Sequence, residues 1–368
     1  MINRYTFAFL LLARALAAEV PLFTADGFRV PQPGAGLELP AAHGSHPDFA
    51  IEWWYLTGHL YSENGDRFGY QATFFRSALE PGTGDKPFGD QQLYLAHMAL
   101  SDASGKTFHF DQRLARGGWD AGAAAGWLEV HNGSWFLEGL DPEVSAMRLH
   151  GSAKAEAAWT LELVPEKPLV RFGPDGTSRK GPAPEARSYY LSFTRLRTTG
   201  TVTLGDRTLT VAGSSWMDHE IASSQLDPDY TGWDWIAIQL DDEWEVKAYL
   251  LRQADGSPAP FSALIWIDPT GRPHYRGPEA FSWESARHWT SPESGARYPL
   301  APVISTRHPV SGEAVSFRFE PVLDAQELAF PGSTYWEGAG TILDGGGQPV
   351  GQAYLELVGY AGPIEGLR

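Results

Sequence analysis

The chain has 368 residues, which at about 150 residues per domain suggests two domains. Its formal net charge of -17 and the lack of any basic run argue against nucleic acid or an anionic lipid surface as a partner. It contains no cysteine, which excludes disulfides and thiolate metal sites.

The first 18 residues have the pattern of a secretory signal peptide. Arg4 supplies a positive start, residues 5–13 an apolar run, and residues 15–17 a small-x-small cleavage site. Arg14 interrupts the apolar run, so an uncleaved anchor is the alternative, and no later apolar run is long enough to span a bilayer. We expect an exported protein, periplasmic or secreted, since export without disulfides fits a bacterial periplasm.

Short runs of alternating apolar residues, separated by Gly, Asp-Gly and Pro, recur along the rest of the chain. Residues 189–193 and 315–319 are examples. This pattern is typical of an antiparallel all-β sandwich or barrel, and almost no segment has a helical period. We therefore predict an all-β fold with little helix.

The chain also contains an ordered internal repeat. An aromatic-rich hairpin at residues 52–60 and 68–76 returns at residues 232–240 and 245–252. Three more pairs keep the same order, namely 95–102 with 263–268, 159–165 with 317–321, and 190–203 with 335–341. A period of this length indicates duplicated domains, each with about eight or nine strands, enough to close a barrel around one ligand. We place the first barrel at residues 43–220 and the second at residues 221–361.

The junction of the two repeats carries the densest group of candidate functional residues. Two short stretches, 213–220 and 233–235, set acids and a histidine among indoles: Trp216, Asp218, His219, Glu220, Trp233, Asp234 and Trp235. A carboxyl group held against indole rings is a candidate for a raised pKa, because desolvation disfavours its charged form. The alternative is an aromatic core with the acids in the solvated turn between two strands.

A second group of candidates lies on the first predicted strand. Alternation points Glu52 and Trp54 to one face and Trp53 and Tyr55 to the other. If Glu52 faces the barrel lumen it is a ligand contact, with Arg76 as its partner, and His46, His97 and Gln71 are the other polar residues that could join it. The alternative is a purely structural role for this strand.

Other kinds of site find no support in the residues. There is no H-E-x-x-H spacing, no Gly-x-Ser-x-Gly elbow and no phosphate-binding glycine loop. We therefore expect no metal, no other cofactor and no serine-hydrolase mechanism.

Several motifs resemble those of the AttH-like and carotenoid 1,2-hydratase-like proteins. They are the runs at residues 46–58, 216–220, 223–227, 232–241, 294–299 and 335–338, and the resemblance extends from about residue 43 to 360. It implies two lipocalin-like β-barrels in tandem. Related two-barrel proteins include carotenoid hydratases and fungal cyclases that bind apolar polyenes between the barrels.

The resemblance also implies roles for individual residues. In a hydratase, which adds water to a terminal isoprenoid double bond, Asp218 would be the proton donor and Asp234 an alternative donor. His219 would orient the water, and the rings of Trp216 and Trp235 would stabilise the cation. The remaining candidate ligand contacts are Glu52, Trp54, Glu220 and Trp233.

Two functions remain open at this stage. One is a carrier or binding module for an elongated apolar molecule, isoprenoid or acyl, and the other is an acid-catalysed lyase or isomerase acting on such a molecule. We expect a monomer, and the sequence does not identify any exporter that works beside it.

Overall fold

The computed structural model describes residues 19–82, 91–224, 226–227 and 229–362. Thirteen strands form the first antiparallel sheet, in the order β4-β3-β2-β1-β13-β12-β9-β8-β7-β6-β5, with β10 and β11 paired to β12. They are β1 (Ile51–Ser62), β2 (Arg67–Ala78), β3 (Gln92–Asp102), β4 (Thr107–Arg116), β5 (Ala121–Ala123), β6 (Glu129–Asn132), β7 (Trp135–Gly139), β8 (Met147–Ala153), β9 (Ala157–Pro165), β10 (Val170–Arg171), β11 (Ser178–Arg179), β12 (Arg187–Leu204) and β13 (Arg207–Ala222).

The second sheet has ten strands, in the order β17-β16-β15-β14-β25-β24-β22-β21-β18, with β23 paired to β24, while β19 and β20 pair separately. The strands are β14 (Tyr230–Leu240), β15 (Glu245–Gln253), β16 (Ala263–Ile267), β17 (Pro273–Arg276), β18 (Ser282–Ser285), β19 (Trp289–Thr290), β20 (Arg297–Tyr298), β21 (Pro302–Arg307), β22 (Ala314–Pro321), β23 (Glu327–Phe330), β24 (Ser333–Leu343) and β25 (Pro349–Leu357). In the described part of the chain, helix is confined to two 3₁₀ turns, Ala41–His43 and Pro278–Ala280.

The repeated segments occupy matching positions in the two sheets. The hairpin β1–β2 corresponds to β14–β15, and β3, β9 and β12 correspond to β16, β22 and β24. In each sheet the strand that begins the unit pairs with the strand that ends it, β1 with β13 and β14 with β25. Both units are lipocalin-like barrels, so the predicted all-β fold of two tandem barrels is confirmed.

Each barrel has its own apolar interior. Trp54, Trp135 and Trp159 belong to the interior of the first barrel, where β3 and β4 approach β8 from the opposite wall. Trp266 and Trp336 belong to the interior of the second. Because alternate residues of a strand point to opposite faces, the residues between these core positions point outward.

The outward faces of the two barrels pack against each other. Tyr55 and Trp216 from the first barrel form one buried cluster with Trp235 and Ile265 from the second. At Gly69 the barrels approach so closely that an added Cβ would lie 2.3 Å from the Cβ of Ala339. Among the described residues, no helix has both the length and the apolar character needed to cross a bilayer.

Candidate functional site

A cavity of about 600 Å³ lies between the outward faces of the two barrels. β1, β2 and β3 line one side with alternate residues, for example Trp53, Phe75 and Leu95, while their neighbours Trp54, Phe74 and Ala96 belong to the core of the first barrel. β14, β15, β24 and β25 line the other side. The period of two along each strand therefore decides which predicted residues reach the cavity.

Four of the predicted site residues line the cavity: Asp218, Glu220, Trp233 and Trp235. The Asp218 carboxylate accepts hydrogen bonds from the Tyr190 hydroxyl at 2.5 Å, the Trp216 indole N–H at 2.7 Å and the Ser192 hydroxyl. Trp216 thus lies behind Asp218 and supports it. Three donors engage most of the acceptor capacity of this carboxylate and fix its orientation.

Glu220 forms an ion pair at the cavity wall. Its carboxylate lies 2.9 Å from Lys180 Nζ, and the ammonium group also lies 4.7 Å from the centroid of the Tyr190 ring. Burial lowers the pKa of Lys180, but the charge and hydrogen bond of Glu220, together with Tyr249 and Asp218, outweigh burial and leave that pKa raised. The one lysine among the described lining residues is therefore already neutralised by Glu220.

Glu52, Trp54 and His219 lie inside the first barrel and do not line the cavity. Glu52 is fully buried and accepts hydrogen bonds from Arg76 Nε at 3.0 Å, His46 Nδ1 at 2.8 Å and His219 Nε2 at 2.8 Å. Burial alone would raise the pKa of Glu52, but hydrogen bonds from His219 and His46 and the charge of Arg76 hold it well below its usual range. Glu52 and its partners form a structural network.

The predicted pairing of Glu52 with Arg76 is confirmed, and His46 joins them. His97 and Gln71 lie elsewhere: His97 bonds to the Tyr335 hydroxyl at 2.8 Å, and Gln71 donates to Thr73. The ring of Trp54 stacks on His219 with centroids 4.8 Å apart. His219 therefore has no path to a ligand in the cavity, because it follows Asp218 directly and points to the opposite face of β13.

Asp234 points into the second barrel for the same reason, since it lies between the two cavity-lining tryptophans of β14. It pairs with Arg252 and accepts a hydrogen bond from the Tyr360 hydroxyl at 3.1 Å. Burial raises the pKa of Asp234 to about 6, although Arg252 and Tyr360 act in the opposite direction. The pKa of Asp234 is therefore raised, but its side chain does not line the cavity.

The structure adds two carboxyl groups that the sequence did not reveal, Glu337 on β24 and Glu356 on β25. They are directly opposite each other in the β24–β25 register, and both line the cavity. Directly opposed side chains of an antiparallel pair have Cβ atoms about 5 Å apart, where like charges destabilise the sheet. Glu337 occurs in a motif of the repeat, but only strand pairing places Glu356 beside it.

The two carboxyl groups differ in their partners. Glu337 is fully buried, and neither of its oxygens has a hydrogen-bond partner in the described part of the chain. Burial and the neighbouring charge of Glu356 raise the pKa of Glu337 well above its usual range, although the nearby hydroxyl groups of Tyr55 and Tyr335 act in the opposite direction. Glu356 is partly accessible at the cavity and accepts a hydrogen bond from Trp233 Nε1 at 3.1 Å.

Burial raises the pKa of Glu356 to about 7. The hydrogen bond from Trp233 acts in the opposite direction, whereas the charges of Asp218, Glu220 and Asp234 raise this pKa further. The pair therefore holds a proton near neutral pH. A protonated carboxyl group in an apolar cavity can donate a proton, and an ionised one can bind a cation.

One group of side chains has the donor types for a metal ion. His46, Glu52 and His219 bring their ligating atoms within 4.8 Å of one another. A cation there would have to replace both histidine hydrogen bonds to Glu52 Oε1 and lie beside the Arg76 guanidinium. The donor set fits a hydrogen-bonded network better than a metal centre.

Solved structures show the same architecture. A putative AttH from Nitrosomonas europaea is 35% identical, covering 90% of this chain and 99% of that chain with a TM-score of 0.80. Kievitone hydratase from Nectria haematococca is 14% identical, with coverage of 93% and 98% and a TM-score of 0.67. CghA with Sch210972 is 13% identical, with coverage of 93% and 100% and a TM-score of 0.56. The last two likenesses show the fold alone.

No curated protein matches the chain. The family model for AttH-like proteins matches residues 30–360, which includes both barrels and the cavity between them. The resemblance seen in the sequence motifs is thereby confirmed, and the chain belongs to the AttH-like family.

Proposed function

We propose that the protein binds an elongated apolar molecule, isoprenoid-like or lipid-like, in the cavity between its two barrels. The observation that carries the proposal is the cavity itself, about 600 Å³ with walls that are mainly aromatic and aliphatic side chains from both barrels. Ligand sites in proteins are typically clefts of this size, mostly apolar and with a few convergent polar groups.

Burial of aromatic surface supplies the affinity in this proposal. Trp53, Tyr55 and Phe75 from the first barrel face Trp235 and Tyr249 from the second across the cavity. Tyr55 and Trp235 are also in contact with each other, with ring centroids 5.3 Å apart and planes at 89°. A ligand between these walls would contact both barrels, so its binding would also stabilise the contact between them.

The proposal includes export to the periplasm or the outside of the cell. Its support is the signal-like pattern of residues 1–18, which lie outside the described residues. In the periplasm, a carrier would hand its ligand to or receive it from a membrane component, and the identity of that component is open.

A titration with retinol, an isoprenoid polyene alcohol whose emission rises in an apolar site, tests the binding function. We expect saturable binding of one retinol per chain and a several-fold loss of affinity in Trp53→Ala. The matched control is Trp283→Ala, since Trp283 is also partly buried but packs against the interior of the second barrel. Absence of saturable binding, or equal losses in both variants, would contradict the proposal.

A second candidate function is acid-catalysed hydration of a terminal isoprenoid double bond. The observation that favours it is the Glu337–Glu356 pair, which holds a proton inside the cavity. The acid would protonate one alkene carbon, water would add to the resulting tertiary cation, and the excess proton of that water would return to the carboxylate. Nearby aromatic faces such as Trp235 would stabilise the cation.

Asp218 is the proton donor that the sequence motifs imply for this reaction. The Glu337–Glu356 pair is the better candidate, because the Asp218 carboxylate already accepts three hydrogen bonds whereas Glu337 accepts none within the described chain. Incubation with an acyclic polyene in oxygen-18 water distinguishes the two functions. A labelled tertiary alcohol would support hydration, and recovery of unchanged polyene would leave binding alone.

A further inference from the structure

The Glu337–Glu356 pair is the most unusual feature of the cavity wall. Two acidic side chains face each other across neighbouring strands at a position that fold stability disfavours. Glu337 is fully buried and aimed into the cavity, yet both of its oxygens are without a hydrogen-bond partner in the described chain. The hydroxyl groups of Tyr55 and Tyr335 lie close enough to lower its pKa, but the carboxyl group lacks the positive charge that would normally accompany it.

Two of the three cations in this region are already ion-paired, and the third, Lys247, has aromatic rings but no hydrogen-bond partner around its ammonium group in the described chain. Lys180 is paired with Glu220 and Arg252 with Asp234. Lys247 lies against aromatic rings, 3.0 Å from the centroid of Tyr190 and 3.8 Å from that of Phe172. With four carboxyl groups and one paired lysine among its described lining residues, the cavity has an excess of acid.

Aromatic rings line the cavity next to these carboxyl groups. Tyr55, Trp233, Trp235 and Tyr335 line the cavity with the two glutamates, and Trp235 lies directly opposite Glu356 in the β14–β25 register. Aromatic faces attract cations through the ring quadrupole, and a desolvated site strengthens that attraction. Carboxylates next to aromatic faces are the surroundings in which proteins bind organic ammonium groups.

We propose that the ligand of the cavity carries an organic cation, such as a lipophilic amine or quaternary ammonium group, that binds at Glu337 and Glu356 between the aromatic rings. The proposal rests on the proposed binding function and specifies the head group of the ligand. The cation would supply the charge that the glutamate pair lacks, and the apolar tail would occupy the rest of the cavity.

Binding of a cation makes a prediction about pH. Because the pair holds a proton near neutral pH, a cation that displaces this proton should bind more tightly as the pH rises through about 7. The titratable and charged groups that line the cavity with the pair are Tyr55, His97, Lys180, Tyr190, Asp218, Glu220, Tyr249 and Tyr335, and Asp234 and Tyr354 act on the pair from outside the cavity.

Most of these neighbours do not interfere near pH 7. Burial lowers the pKa of His97 to about 3, and burial raises the pKa of Tyr55, Tyr335 and Tyr354 well above the usual range. Two groups do titrate in this range: burial raises the pKa of Asp234 to about 6, which affects the acid end of the series, and burial lowers the pKa of Lys247 to about 7, although that lysine lies on the Tyr190 side. The variant Lys247→Met removes this second titration from the pH profile.

Calorimetric titration of the full chain with decyltrimethylammonium and 1-decanol tests the proposal. The two probes have the same tail, and the quaternary ammonium does not itself titrate. We expect the cation to bind about tenfold or more tightly than the alcohol at pH 8, with affinity increasing from pH 6 to pH 8 in the wild type and in Lys247→Met. Glu356→Gln, which removes the carboxyl group that ionises near pH 7, should lower the affinity for the cation about tenfold at pH 8 and leave that for the alcohol within about twofold.

The exposed Glu284 provides the matched control, since Glu284→Gln removes one carboxylate from the second barrel without touching the cavity. Equal affinities for the two probes, or an affinity for the alcohol that falls as the pH rises, would overturn the proposal in favour of a protonated pair that donates a hydrogen bond to a neutral ligand. Such a result would leave the binding function intact. Failure of both probes and of retinol to bind would overturn the binding function as well.

Discussion

Glu356→Gln should make the protein more stable at alkaline pH than the wild type. In the folded protein the pKa of Glu356 is raised from 4.5 to about 7, chiefly by burial. Between these two values the unfolded chain releases the proton while the folded chain keeps it, so the free energy of unfolding falls as the pH rises. The wild type therefore has the full contribution of this group below about pH 4.5 and has lost it above about pH 7.

The size of the effect follows from the same two values. At about 1.4 kcal/mol per pH unit for one proton, the interval corresponds to about 3 kcal/mol. This is an upper limit, because the accessible part of Glu356 at the cavity keeps some of its hydration. Glutamine carries no charge, retains an acceptor for Trp233 Nε1 and removes the repulsion of Glu337. We expect Glu356→Gln to raise the free energy of unfolding by about 1 to 3 kcal/mol at pH 8 and by less than about 1 kcal/mol at pH 5.

Urea unfolding of ligand-free protein, followed by tryptophan fluorescence at several pH values from 5 to 8, measures the difference. Glu284→Gln is the control, since this exposed side chain should change stability by less than about 0.5 kcal/mol at any of these pH values. If Glu356→Gln and the wild type lose stability in parallel as the pH rises, the carboxyl pair is not the source of the pH dependence and the reasoning fails.

Three further predictions concern other parts of the molecule. Arg76→Met should cost about 3 to 5 kcal/mol of unfolding free energy, because it leaves the Glu52 carboxylate buried without its cation, whereas Arg148→Met, which breaks the exposed pair with Glu138, should cost about 1 kcal/mol or less; similar losses would contradict the network. Asp218→Asn should change the affinity for retinol little, and if the protein is a hydratase Glu337→Gln should lower turnover by about two to four orders of magnitude, with a smaller loss in Asp218→Asn; the reverse order would return the role of proton donor to Asp218. Protein recovered from the periplasm should begin near Ala18 or Glu19 in N-terminal sequencing, and an intact Met1 would exclude cleavage.

Much of the fold was predictable because its signals are local. The period of two identifies the strands, and the order of the repeated segments is the order of the corresponding strands in the two sheets. Alternation also placed Trp53 and Tyr55 on the face opposite Glu52 and Trp54, as the structure confirms. These inferences need only residues close together in the chain or repeated along it.

The site was predictable in part. Position at the junction of the repeats led to Asp218, Glu220, Trp233 and Trp235, all of which line the cavity. His219 and Asp234 alternate with these residues and point into the two barrels, so proximity in sequence was misleading there. The same period of two, applied to β13 and β14, would have separated them.

The Glu337–Glu356 pair could not be found in this way. Neither residue stands out alone, and their opposition depends on the register of β24 against β25. Their shared cavity depends in turn on how the two barrels pack. A buried, partnerless carboxyl group is a property of three-dimensional structure.

The most direct test of the central claim is extraction of the natively purified protein with organic solvent followed by mass spectrometry. The binding function predicts about one apolar molecule per chain from the wild type, and a tail of this kind with an ammonium head would also support the proposed cation site. Ser77→Trp, which fills a partly exposed position on the cavity wall, should yield little, whereas Ser282→Trp, at an exposed position of β18, should yield as much as the wild type. A wild-type extract without any bound molecule, or equal yields from all three proteins, would contradict the account.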